Sequence, residues 1–247
     1  MTKNSFLRKI TAKWKEGKFV CVGLDCGDFD FNKKIIDQTF DLVCAYKLNS
    51  AFYWSEGVEG LKALEETTQY IHTNYPDVPV LIDAKIADVE NTNIAYTKAL
   101  FDWLKADAVT INPYPGKAAF KPFLDRTDKG IFVWIKASNK GTSKLQDIYR
   151  VVAADVAKNW NTNGNCGVIV GATYPEELAV VRKIVGDMPI LIPGIGAQGG
   201  DLEATIKAGK NSKKQGIIVS SSRAIIFAPN PREAALKLHH QIQEALK

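Results

Sequence analysis

The chain has 247 residues, 46% of them hydrophobic, enough to bury a large core as one barrel-sized domain or two small ones. Its 32 Lys and Arg against 27 Asp and Glu leave a formal charge of +5, too small and too dispersed for a nucleic-acid surface. The opening "MTKNSFLRKITAKWKEGK" is basic and amphipathic without a continuous apolar signal core, and nowhere do about 18 apolar residues run together as a membrane span would require.

In chain order, an opening helix is followed by eight short runs rich in β-branched and aromatic residues. They are "FVCVGLD" (19 to 25), "LVCAYKL" (42 to 48), "VPVLIDAK" (78 to 85), "AVTINPY" (108 to 114), "IFVWIKAS" (131 to 138), "GVIVGA" (167 to 172), "PILIPG" (189 to 194) and "GIIVSS" (216 to 221). These runs are continuously apolar rather than alternating, as strands buried on both faces are. Helical periods fill the intervals, among them "VEGLKALEETTQYIHTNY" (58 to 75), "ENTNIAYTKALFDWLKA" (90 to 106) and "LEATIKAG" (202 to 209). Eight strand–helix units predict an α/β fold, a (β/α)8 TIM barrel with an additional N-terminal helix, as a single domain over 1–247. Cysteines 21, 26, 44 and 166 form no C-x-x-C pair, and two lie inside strand-like runs, so the expected setting is a reducing cytoplasm.

"IPGIGAQGGD" (192 to 201) carries Gly194-x-Gly196-x-x-Gly199, the spacing of a dinucleotide turn. That fingerprint normally follows the first strand of its unit and is answered by an acid at the end of the next. Here it follows strand seven, and the next strand ends in Ser220, Ser221 and Ser222. In barrels the loops after strands seven and eight hold phosphate, and Arg223, just past strand eight, offers a bidentate fork. A phosphate monoester is therefore expected rather than a nicotinamide cofactor.

Charged residues gather at the strand ends, where barrels place their chemistry. Strand one ends in Asp25, strand two carries Lys47 and Asn49, and strand three ends in "DAKIAD". Side chains alternate along a strand, so Asp83 and Lys85 share a face, expected to be the barrel interior, with Asp88 three residues on. Charges packed so deeply require pairing, and Asp25, Lys47, Asp83 and Lys85 are expected to form one alternating network.

With these motifs in view, the sequence resembles the orotidine 5'-phosphate decarboxylase family from "VGLD" to "SSSRAIIFA". The family's Asp-x-Lys-x-x-Asp motif stands as "DAKIAD" followed by "VENT", its strand-two lysine as Lys47 in "AYKLN", and its phosphate segment as "PGIGAQGGD". The resemblance implies decarboxylation of orotidine 5'-phosphate to UMP and CO2, the last step of de novo UMP synthesis. It implies that Lys85 stabilises and protonates the carbanion left at C6, that Asp83 sits against the departing carboxylate and holds Lys85, and that Lys47 and Asp88 complete the charged array. Asp25 and Lys47 would contact the ribose, Ser138 the pyrimidine, and Gln198 and Arg223 the phosphate. Asp88 and Thr92 would reach the neighbouring subunit's substrate, which implies a homodimer. Many relatives have glycine before the phosphate arginine, whereas Ser222 stands here, which puts the backbone contact at 222 in question if a positive φ is needed.

No cofactor is expected, and no metal. The three histidines, His72, His239 and His240, avoid the strand ends. Metal-dependent members of the same suprafamily, which act on 3-keto-L-gulonate 6-phosphate or make hexulose 6-phosphate, carry the same motif with a glutamate at the end of strand two, where Lys47 stands. A cation there opposes a metal ion. A non-catalytic phosphate-binding barrel would need the loop but not the buried lysines. The aromatic "AFYWSEG" that follows Lys47 has two readings, a subunit contact through Phe52, Tyr53 and Trp54 or packing within one barrel.

Overall fold

The computed structural model describes residues 4–139, 146–195 and 201–247. Eight parallel strands close into a barrel in chain order, with β8 pairing back onto β1. They are β1 (Val20–Gly23), β2 (Val43–Asn49), β3 (Val80–Ile86), β4 (Ala108–Ile111), β5 (Gly130–Lys136), β6 (Cys166–Val170), β7 (Ile190–Pro193) and β8 (Ile217–Ser221). Each lies within or close to one of the eight apolar runs, and several stop short of the run's C-terminal end. There the chain leaves the ladder and turns polar side chains toward the top of the barrel, as at Asp25 and Ser138.

Several helices begin where a side chain satisfies a free N–H group. Asn4, Asp28, Asp201 and Asn230 each accept a first-turn amide, as Asn4 Oδ1 does from the Leu7 N–H at 2.7 Å. The segment read as one helix over 90 to 106 is α-helical over Glu90–Thr97 and widens to a π-helix over Lys98–Trp103. Hydrophobic periodicity does not separate these two windings, because both bury one stripe. Among the described residues, no helix is long and apolar enough to cross a membrane.

The opening helix, Ser5–Lys15, closes the floor of the barrel. Phe6 packs edge-on against Phe132 with ring centroids 5.5 Å apart, and the Trp14 indole N–H donates to the Ile217 carbonyl at 2.8 Å. Two buried polar centres tie strand starts together on the same side. The Arg182 guanidinium, buried on the helix Pro175–Val185, donates to the carbonyls of Gly186, Met188, Gly209 and Gly216. Burial lowers its pKa to about 10. Asp107, just before β4, accepts from the Val80 N–H at 2.9 Å, from Lys9 Nζ at 3.0 Å and from His72 Nε2 at 3.0 Å.

Burial alone would raise the Asp107 carboxyl, but His72, Lys9 and the Val80 amide outweigh it and hold it below the ordinary carboxylate range. A depressed folded pKa contributes stability that is complete above the unfolded value of about 3.9 and disappears as pH falls through the folded one. Asp107→Asn is expected to cost about 2–4 kcal/mol at pH 7. Urea denaturation from pH 7 down to the acid limit should also show a shallower loss of stability in the variant than in the parent chain.

Candidate active site

The C-terminal ends of the strands surround a cavity of about 290 Å³. Asp25, Lys47, Asp83, Lys85, Ser138 and Arg223 all line it, each delivered by a different turn of the barrel or by alternate positions on β3. The expected alternating network is present. Lys85 Nζ lies 2.7 Å from Asp83 Oδ1, Lys47 Nζ lies 3.3 Å from Asp83 Oδ2, and the same Nζ lies 3.6 Å from Asp25 Oδ1. Two carboxylates and two ammonium groups thus alternate along one line from β1 to β3.

Lys47 and Asp83 are both buried. Desolvation opposes the Lys47 ammonium, yet Asp83 and Asp25 together overrule it and keep the group above the ordinary lysine range. At Asp83 desolvation again opposes charge, and Lys47, Lys85 and a hydrogen bond from Thr110 bring the carboxyl down to about 2. Asp25 Oδ1 is buried and, beyond the ion pair at 3.6 Å, accepts no hydrogen bond from a described residue.

Simple strand alternation does not account for the aim of Lys85. Its φ is +47°, in the left-handed region that costs a non-glycine residue roughly 1–2 kcal/mol. The β3–β4 register shifts between Ile82 and Ile86 at this place. Thr110 on β4 supports the irregularity: its Oγ1 accepts the Lys85 backbone N–H at 2.9 Å and donates to Asp83 Oδ1 at 2.8 Å. One buried hydroxyl therefore fixes both the strained backbone and the carboxylate that holds the Lys85 ammonium. Sequence reasoning missed Thr110, whose only signal was a hydroxyl in the apolar run "AVTI". It also missed Trp134, which lines the cavity with its ring centroid 5.7 Å from Lys85 Nζ.

The remaining expected residues divide. Ser138 stands at the end of β5 on a loop base pinned by two bonds, from the Ala137 N–H to Gln146 Oε1 at 2.8 Å and from Thr173 Oγ1 to the Ser138 carbonyl at 2.9 Å. Gly194 lines the cavity with φ +101°, while Gly196, Gln198 and Gly199 lie outside the described residues. Arg223 opens the short helix Arg223–Ile226 and is exposed at the cavity mouth. Ser222 has φ −115°, so no glycine conformation is required there.

Asp88 and Thr92 do not line this chain's cavity, and Asp88 makes no ion pair with the described residues. Asp88 Oδ1 instead accepts the Val89 N–H at 2.7 Å. Of the three aromatics after Lys47, Tyr53 belongs inside the barrel, fully buried with its hydroxyl donating to the Leu24 carbonyl at 2.8 Å. Phe52 and Trp54 are exposed.

A family model described as "Orotidine 5'-phosphate decarboxylase / HUMPS family" matches residues 18–238. An orotidine 5'-phosphate decarboxylase of Cellvibrio japonicus is 41% identical over 98% of this chain and 99% of its own. One of Cupriavidus metallidurans is 42% identical over 94% and 93% of the two chains. Among solved structures, the OMP decarboxylase of Leishmania donovani superposes with a TM-score of 0.90 at 34% identity over 98% of both chains. The UMP synthase of the same organism gives 0.91 at 36% identity, with this chain spanning 57% of its length.

The charge balance of the network is open to test. In Lys47→Met the largest charge opposing the burial penalty at Asp83 is gone, so its titration is expected to move from about 2 into or above the ordinary carboxylate range. Infrared titration of the carboxylate band, differenced against Asp83→Asn, reads the midpoint directly.

Proposed function

The chain belongs to the orotidine 5'-phosphate decarboxylase / HUMPS family, and on that premise we infer that it removes CO2 from orotidine 5'-phosphate to give UMP in pyrimidine biosynthesis. The observation that carries the reading is the Asp25–Lys47–Asp83–Lys85 line at the base of the cavity. Cleaving the bond between C6 and the carboxylate leaves an electron pair on C6. An ammonium held beside that carbon stabilises the pair and then gives it a proton.

Lys85 fills this role. It is the terminal cation of the line and has a side chain still partly open to the cavity, whereas Lys47 is enclosed by two carboxylates. CO2 departs with both its oxygens, Lys85 transfers one proton to C6, and the resulting amine recovers a proton from water. Asp83 keeps Lys85 charged and aimed, and its fixed negative charge faces the substrate carboxylate. Asp25 and Lys47, which line the cavity, take the ribose hydroxyls. Ser138 takes the pyrimidine edge, and Arg223 takes the phosphate, with Gln198 assigned beside it by resemblance alone. Lys47 stands 3.3 and 3.6 Å from the two carboxylates, so a cation already occupies the ground on which a metal ion would have to compete.

The assembly is a homodimer in which Asp88 and Thr92 complete the neighbouring subunit's site. Support comes from their position off this chain's own cavity and from exposed apolar side chains that follow three consecutive strands on the same rim. Val89 and Ile94 follow β3, Tyr114 (86% exposed) follows β4, and Ile148 and Val151 follow β5. A second cavity of about 530 Å³ opens among Tyr114, Trp134, Ile148 and Val152. Exposed apolar side chains gathered on one rim in this way are characteristic of a contact face. The four cysteines are unpaired thiols, in keeping with work in a reducing cytoplasm.

Ultraviolet assay of the purified chain with orotidine 5'-phosphate, in excess EDTA and without added cofactor, is expected to show conversion to UMP. Lys85→Ala should lower kcat by about 10⁴-fold or more while UMP still binds. No conversion, with Mg²⁺-dependent turnover of a sugar phosphate, would move the chain to the metal-dependent branch. Sedimentation should find a two-chain species, and Ile94→Glu combined with Ile148→Glu should yield a monomer with at least about tenfold lower kcat/KM. A monomer with full activity would remove the shared site.

A further inference from the structure

The Ser222 side chain has a close steric partner across the seam where β8 closes on β1. Val22 pairs with Ser221, so Gly23 and Ser222 are the next residues past the end of that ladder. A Cβ built on Gly23 would stand 1.8 Å from Ser222 Oγ and 2.9 Å from Ser222 Cβ. Rotating the Ser222 side chain removes the first clash but leaves the second, so any side chain at 23 forces the two strand ends apart. The hydroxymethyl group of Ser222 occupies the notch that Gly23 leaves.

Both residues lead directly into the cavity. Asp25 lies two positions beyond Gly23, and its Oδ2 would be 3.4 Å from the same Cβ. On the other side, the Ser222 carbonyl accepts the N–H groups of Ile225 at 2.8 Å and Ile226 at 3.0 Å, and both isoleucine side chains are buried. The short helix Arg223–Ile226 is thereby anchored, and its first residue points at the cavity mouth. A shift at Ser222 carries Arg223 with it, and a shift at Gly23 carries Asp25.

We propose that Gly23 and Ser222 form an interlocking pair that sets the distance between Arg223 at the phosphate and Asp25 at the ribose, making Ser222 a positioning residue for the nucleotide 5'-phosphate. This rests on the reading of the cavity as a nucleoside 5'-monophosphate site. Arg223 stands at the phosphate end of the ligand, whereas Gly23 also pairs with Lys47 on β2, so the phosphate-specific role of the pair is read by comparing UMP with uridine.

Calorimetric titration with UMP and with uridine, across the wild type, G23A, S222G and the double variant, separates phosphate positioning from general disturbance. G23A is expected to weaken UMP about thirtyfold and uridine by only about three- to fivefold, because overpacking displaces Arg223 from the phosphate while Asp25 at the ribose shifts less, along with residue 23. S222G should weaken UMP by about three- to tenfold, and G23A/S222G should recover to within about fivefold of wild type, a coupling that independent sites lack. Should G23A fail to fold, S222V crowds the same notch from the other side and should show the same UMP-selective loss.

Equal losses on UMP and uridine, a double variant no better than G23A, or S222V with wild-type UMP affinity would each overturn the pair. So would a wild type that holds UMP no more tightly than uridine. Turnover of orotidine 5'-phosphate by the wild type is read separately. Its failure would remove the decarboxylase assignment while the four sets of UMP and uridine affinities still decide the role of the pair.

Discussion

Mutual neutralisation of two carboxylates and two ammonium groups in one buried line is the constraint on which the site depends. Any one of these groups alone in a barrel interior would be driven to its neutral form by desolvation. In alternation each cation answers the penalty of its neighbouring anion, and Asp83 remains ionised down to about 2 although burial is the largest single influence on it. The arrangement stores charge where water is scarce, which is the condition under which an ammonium can act on a carbanion without waiting for solvent to reorganise.

That line requires a barrel closed with a definite register. Asp25, Lys47 and the Asp83–Lys85 pair come from three adjacent strands and meet because each strand end stops at nearly the same height. Lys85 reaches the line only through a backbone in the left-handed region, and Thr110 from the next strand holds it there. Local strain is thus offset by a hydrogen bond to the group that also orients Asp83, so the strained backbone at Lys85 and the carboxylate that holds its ammonium share one support. Below, Arg182 and Asp107 satisfy the strand starts and keep this height fixed. The floor of the barrel carries stability and the top carries chemistry, as the division of roles in this fold leads one to expect.

The two-ended cavity follows from the same closure. Arg223, proposed for the phosphate, comes from the last strand and Asp25, proposed for the ribose, from the first, so on that reading the seam at which the sheet closes is also the joint between the two ends of the ligand. Binding energy gained at a phosphate can assist a reaction at a distant ring only if the spacing between the two is rigid. The proposed interlock of Ser222 with Gly23 would supply rigidity at that joint.

Much of this was legible in the amino-acid order. Eight continuously apolar runs announced a parallel sheet covered on both faces, and Asp25, Lys47, Asp83, Lys85 and Arg223 announced themselves as charges at strand ends, because period, burial and position along a strand are local properties of the chain. What only the tertiary structure decided are relations between strands. The positive φ of Lys85 and its Thr110 support depend on the shifted register of β3 and β4, and no spacing within either strand encodes it. Tyr53 entered the core and Asp88 and Thr92 turned away from the cavity because of how helices pack on the finished barrel. The Ser222 side chain has room because Gly23, 199 positions earlier in the chain, lies beside it only once the sheet has closed.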